Sequence, residues 1–121
     1  MAKILKCDNC GSIIQVLVED DSDACDTHML DIPVQTEGDK APKHKPVVEI
    51  DGDKVTVKVG EVAHPTDDDH YIQFIIVEAG AEQYAKCLKP GDAAEAAFTV
   101  NSTDDVKAYA FCNQHGLWSS E

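Results

Sequence analysis

Hydrophobic positions alternate with polar ones over much of this chain, and a period of two is the signature of half-buried strands. Val55, Val57 and Val59 alternate with Thr56 and Lys58, which predicts a strand with one buried and one wet face. The preceding run, Val47-Val48-Glu49-Ile50, is separated from it by Asp51-Gly52, and that dipeptide predicts a hairpin. Further strands are predicted over residues 71–79, 83–88, 94–100 and 106–111. They are divided by Gly80, by Pro90-Gly91-Asp92 and by residues 101–105. Seven or so short strands in about 80 residues, with no long helical pattern, predict an all-β chain folded as a β-sandwich.

The N-terminal third has a different texture. Residues 3–10 predict a short strand entering the knuckle Cys7-Asp8-Asn9-Cys10-Gly11, a turn that presents two thiolates to one metal. Residues 12–18 predict a second strand, and residues 19–23 an acidic, solvated loop. Residues 31–43 hold Pro33, Pro42 and a glycine but no aromatic residue, a composition suited to a linker. The expected division is therefore a small domain over 1–33, a linker over 34–43 and a larger β domain over 44–121.

Composition narrows the function. The formal net charge is −13, with ten lysines and no arginine, which argues against nucleic acid or an anionic membrane surface as a partner. A hydrophobic content of 43% separates the chain from acidic disordered segments and supplies a core. No run approaches the length of a membrane span, and the N-terminus lacks an apolar targeting core, so a cytoplasmic location is expected. Five cysteines are an odd number, which favours metal or thiol chemistry over a complete disulfide framework.

The candidate chemistry gathers at the C-terminus. Cys112-Asn113-Gln114-His115-Gly116 places a thiolate and an imidazole three positions apart, a compact metal-binding corner. Alone this pair is compatible with zinc, copper or iron. Beside it stand His44, in Lys43-His44-Lys45-Pro46-Val47-Val48, and His64 and His70 on either side of Pro65-Thr66-Asp67-Asp68-Asp69. Four histidines and one cysteine make one more ligand than a closed tetrahedral zinc site takes. Asp67, Asp68 and Asp69 lack the spacing of a calcium loop and read as solvated. Cys87 reads as a small buried hydrophobe and Trp118 as packing.

This constellation resembles the superoxide reductase family (desulfoferrodoxin and neelaredoxin). The resemblance covers roughly residues 42 to 121. It rests on Lys43-His44-x-Pro46-Val47-Val48, Val62-x-His64-Pro65, His70-Tyr71-Ile72, Leu88-Lys89-Pro90-Gly91-Asp92-Ala93 and Cys112-Asn113-x-His115-Gly116-Leu117-Trp118. It implies an immunoglobulin-like catalytic sandwich in which His44, His64, His70 and His115 ligate one mononuclear iron in a plane, with Cys112 on the axis. The position opposite the thiolate would be open to superoxide, and an axial thiolate pushes electron density onto iron as in thiolate haem enzymes. The implied reaction is the one-electron reduction of superoxide to hydrogen peroxide. Lys43 would attract the anion and place a proton-donating water. A rubredoxin-like carrier is the implied electron donor, and a homo-oligomer, dimer or tetramer, the implied assembly. The chain departs from the common pattern at Pro42, where many members carry a glutamate that closes onto the oxidised iron.

In longer members the N-terminal part resembles desulforedoxin, with four thiolates holding a second iron. Here Cys7 and Cys10 match, and aligning Met29 puts Cys25 on the second cysteine of the later pair but Ala24 on the first. Cys7, Cys10 and Cys25 are thus candidates for a second metal site with an incomplete ligand set, to which Asp26 or His28 could add. The expectation is a degenerate site that folds without metal, or with a Cys–Cys link. A rival for the whole chain is a cupredoxin-like electron carrier using His44, Cys112 and His115. It leaves His64 and His70 idle and lacks an axial methionine, since the methionines are Met1 and Met29. A zinc-stabilised binding module is the other rival, and five ligands fit it poorly.

Overall fold

The computed structural model describes residues 3–17 and 29–121. Apart from one helical turn, its regular elements are strands, and they fall into two compact units, residues 1–33 and 34–121.

The smaller unit is a three-stranded antiparallel sheet. Its central strand β1 (Lys3–Cys7) pairs with β2 (Ile13–Val16) on one side and β3 (Met29–Asp31) on the other. Ile4 is its buried residue among those described. The Cys7–Gly11 knuckle connects β1 to β2, as its turn residues predict. Cys25, the acidic stretch 19–23, Asp26 and His28 lie outside the described residues.

The larger unit is an immunoglobulin-like β-sandwich. A short strand β4 (Val34–Gln35) and a single helical turn α1 (Ala41–His44) come first, so the stretch expected to be a linker carries structure of its own. Two residues of strand and one helical turn are too short to leave a periodic signature, and Pro33, Gly38 and Pro42 read instead as punctuation. One sheet joins β5 (Pro46–Asp51), β6 (Lys54–Val59) and β9 (Glu95–Thr99) in that order. The other runs β4-β11-β10-β7-β8, with β7 at Ile72–Ala79, β8 at Glu82–Cys87, β10 at Lys107–Cys112 and β11 at Gly116–Ser119.

The predicted hairpin forms, one residue later than the Asp-Gly dipeptide suggested. Asp51 pairs with Lys54, so Gly52 and Asp53 make the turn, and Gly52 carries a φ of +62°. A glycine first in a two-residue turn suits the right-handed twist of the flanking strands. Val55, Val57 and Val59 are buried as their alternation requires, and they meet Ile75, Val77, Ala96, Ala108 and Ala110 in the core. Each fully buried valine contributes roughly 1.5–3 kcal/mol relative to exposure. Cys87 was expected in the core but is exposed. It lies at the end of β8, an edge strand with only β7 beside it, where few side chains are covered.

Candidate metal centre

Each of the five predicted ligands comes from a different local device. His44 ends α1, and its position depends on a close approach by Gly60. A side chain at Gly60 would sit 2.9 Å from the carbonyl oxygens of Pro42 and Lys45 and 3.1 Å from the His44 amide nitrogen. The chain after Gly60 is laced to the same turn, since the Val62 amide donates to Pro42 at 2.8 Å and the His64 amide donates to Val59 at 3.0 Å. The segment that carries His64 therefore fixes the segment that carries His44. His70 closes a small loop through reciprocal backbone bonds with Asp67, at 3.0 and 3.2 Å.

Cys112 is the last residue of β10. Against β7 the register slips between Phe111 and Cys112, whose partners are Phe74 and Ile72, leaving Gln73 as a bulge. Bulges re-aim a side chain at a strand end, and Cys112 is fully buried. Cys112 pairs with Gly116 across the β10–β11 hairpin, so Asn113, Gln114 and His115 form its loop, closed by Gly116 at φ +85°. A three-residue hairpin with glycine in the left-handed position is a preferred connection. That signal, followed by Leu117-Trp118-Ser119, would have revealed β11, which the periodicity reading missed.

The four imidazoles form a ring of rings. Centroids of neighbours are 4.6 Å apart for His44–His64, 4.7 Å for His64–His70, 4.9 Å for His70–His115 and 4.8 Å for His115–His44. The diagonal from His44 to His70 is longer, 6.2 Å. Neighbouring ring planes cross at 71–84°. Four near-equal sides and a longer diagonal describe a quadrilateral with nitrogen atoms turned inward. The ligand atoms of His44, His70, Cys112 and His115 all lie within 4.8 Å of one another. His64 Nε2 joins them 3.2 Å from His44 Nε2.

Hydrogen bonds on the outer side of the rings fix which nitrogen faces in. His44 Nδ1 donates to the Lys40 carbonyl at 2.7 Å, and His64 Nδ1 donates to the Pro65 carbonyl at 2.7 Å. A carbonyl only accepts, so each Nδ1 carries the proton and each Nε2 presents a lone pair. Those two lone pairs confront each other across 3.2 Å, and His115 Nδ1 lies 3.1 Å from His44 Nε2. Such an arrangement calls for a cation between them. His70 Nε2 is buried with no hydrogen-bond partner, an orphan that a metal would satisfy. Cys112 Sγ lies 3.7 Å from His115 Nδ1. The donor set fits a metal ion.

Electrostatics favour the neutral, ligating form of the imidazoles. Burial pushes the His64 pKa down to about 4, and the neighbouring histidines add to the effect against the opposing Pro65 hydrogen bond. His44 is lowered by burial first and then by His115, His70 and Lys40, while its bond to the Lys40 carbonyl opposes. His115 is lowered by burial and then by Lys40 and His70.

The supporting residues were less visible in the sequence. Gln35 donates to the His115 carbonyl at 2.7 Å and Trp118 Nε1 donates to the same oxygen at 3.1 Å. Trp118 also stacks on His44 with centroids 5.3 Å apart, so it is packing and ligand support together. Asn113 accepts from the Tyr71 amide at 3.0 Å and donates to the Asp69 carbonyl at 3.0 Å, and Gln114 donates to that carbonyl as well. These amides tie the cysteine hairpin to the His70 loop. A cleft of about 350 Å³ opens on the site, lined by Lys40, Lys43, His44, His70 and His115 among others. Lys43 thus lines the cleft, as does Pro42, which offers no ligand atom.

Of the N-terminal candidates, Cys7 and Cys10 share the knuckle, while Cys25 lies outside the described residues. Hydrogen bonding to Ser12 lowers the Cys10 thiol to about 7. No helix among the described residues is long and apolar enough to cross a membrane.

Comparison with known proteins accords with this geometry. The desulfoferrodoxin family model matches residues 36–121. A desulfoferrodoxin homolog from Archaeoglobus fulgidus is 44% identical over 120 residues, covering 98% of this chain and 95% of that protein. A superoxide reductase from Pyrococcus horikoshii is 33% identical over 100 residues, covering 68% and 87%. The crystal structure of the superoxide reductase from Treponema pallidum superposes with a TM-score of 0.79 at 34% identity, covering 100% of this chain and 98% of that one. With the family model spanning most of the sandwich and relatives matching nearly end to end, the chain belongs to the desulfoferrodoxin family.

Proposed function

We propose that this protein is a superoxide reductase, adding one electron and two protons to superoxide to give hydrogen peroxide. The observation that carries the reading is the pair of inward lone pairs on His44 and His64, locked by carbonyls at 2.7 Å and facing each other at 3.2 Å. His44, His64, His70, His115 and Cys112 would hold one iron. Bound there, iron supplies a one-electron couple that imidazole and thiolate ligation tune.

The residues of the chain do the rest. The Lys40 and Pro65 carbonyls orient two imidazoles, and Gln35 and Trp118 hold the His115 loop. Burial keeps the Cys112 sulfur away from water, which protects a thiolate from oxidation. Lys43, which lines the cleft, supplies positive charge to attract a small anion. Protons reach the product from water in the cleft. The electron comes from an external carrier of the rubredoxin type.

Iron-loaded, reduced protein mixed with superoxide tests the reading, with dioxygen and peroxide followed together. One peroxide per superoxide and no released dioxygen is expected. Dioxygen release at half the superoxide consumed would make the protein a dismutase. Removing the metal with a chelator should abolish the activity, and iron alone should restore it. Zinc should restore binding-site order but no activity, since it has no second redox state.

A further inference from the structure

Cys7 and Cys10 of the smaller unit stand outside the group of residues that could hold the metal. Cys7 ends β1, and the turn after it is held by the Gly11 amide donating to Cys7 at 2.9 Å and the Cys7 amide donating to Ser12 at 2.9 Å. The same turn lays Cys7 Sγ 3.4 Å from the Cys10 amide nitrogen, beside the Cys10 side chain. Cys10 Sγ lies 3.2 Å from Ser12 Oγ, a hydroxyl that accepts from the thiol and can rotate to donate to a thiolate. Both thiols are free, with Cys10 exposed and Cys7 half-buried. The exposed member can meet a reagent from solvent, and the half-buried one is placed to resolve the product. Among the described residues, no third histidine, cysteine or carboxylate gathers with them into a metal-holding group.

We propose that Cys7 and Cys10 form a peroxide-reactive dithiol, oxidised by a hydroperoxide to a Cys7–Cys10 disulfide and restored by a thiol reductant. The Cys10 sulfur attacks one peroxide oxygen, the O–O bond breaks, and the departing hydroxide takes up the thiol proton as water. Cys10 is left as a sulfenic acid. Cys7 sulfur then attacks Cys10 sulfur. The S–S bond forms, the S–O bond breaks, and a second water leaves. Two thiols and one hydrogen peroxide give one disulfide and two waters. Thiol–disulfide exchange with an external dithiol returns the pair. The reduction of superoxide proposed above would generate this oxidant, but added peroxide makes the test independent of that reading.

The full-length protein, iron-loaded and reduced, is given one equivalent of hydrogen peroxide, quenched with an alkylating reagent and cleaved before aspartates. That cleavage separates Cys7 on residues 1–7, Cys10 on 8–19 and Cys25 on 23–25. The expected product joins 1–7 to 8–19, is reversed by dithiothreitol, and forms at least about tenfold faster than oxidation of exposed Cys87. In Cys7→Ser, Cys10 should be trapped by dimedone as the sulfenic acid, and in Cys10→Ser the fast phase should vanish. A link to Cys25 instead, a Cys10 no faster than Cys87, or protein isolated with a stoichiometric metal lost on Cys7→Ser would each overturn the proposal. Superoxide consumption by the same samples reports separately on the metal centre.

Discussion

His64 shows how a backbone carbonyl sets the chemistry of a candidate ligand. Its Nδ1 is committed to Pro65 at 2.7 Å, and burial holds the ring neutral down to a pKa of about 4. The linkage has a definite sign. An unfolded histidine titrates near 6.5, so between 6.5 and about 4 the unfolded chain binds more protons than the folded one. The stabilising contribution is therefore complete above pH 6.5 and lost as pH falls towards 4. For metal-free protein, denaturant unfolding should show a loss on the order of 2 kcal/mol from His64 across that window. His44, lowered by the same cause, adds to it. His64→Gln should flatten the pH dependence even if it lowers stability at every pH. An unaltered slope would mean that His64 does not stay neutral in the fold.

At the scale of elements, the site depends on segments that look unremarkable in the sequence. Gly60 carries no side chain, yet a Cβ there would press on three backbone atoms of α1 and the residue after it within 2.9–3.1 Å. Backbone cannot yield as a side-chain tip can, so Gly60→Ala should displace His44. The expected result is iron affinity reduced at least about tenfold and stability lowered by roughly 1–3 kcal/mol, the usual cost of overpacking. Metal titration and thermal unfolding of the same variant check both, and an unchanged affinity would show that α1 adapts freely. This is also where legibility of the sequence divided. Val55, Val57 and Val59 fixed a strand and its buried face because alternation is a local signal. All five candidate ligands were visible because imidazole and thiolate are chemically rare. Gln35, Asn113 and Gln114 were not, since an amide that clamps a loop looks like any surface amide until its acceptor is placed. β4 and α1 were lost inside the expected linker for the same reason, being defined by contacts with residues some 20 to 80 positions away.

For the molecule as a whole, charge poses the sharpest question. A formal charge of −13 repels a small anion at long range, whereas Lys40 and Lys43, against the one carboxylate of Asp39, line the cleft at the site itself. The two effects respond oppositely to salt. Screening a repulsive global field speeds the encounter, while screening a local attraction slows it. At ionic strengths where the Debye length is about 10 Å, the distant carboxylates are already screened and the lysines at the cleft are not. Local attraction should therefore dominate, and superoxide capture should slow as salt rises from about 0.05 to 0.5 M. Lys43→Ala should lower the second-order rate several-fold at low salt and flatten its salt dependence. Fast-mixing or pulse-radiolysis measurements at several ionic strengths decide the matter. A wild-type rate that climbs with salt would assign control to the global field, and a Lys43→Ala rate equal to wild type would remove that side chain from the path of the anion.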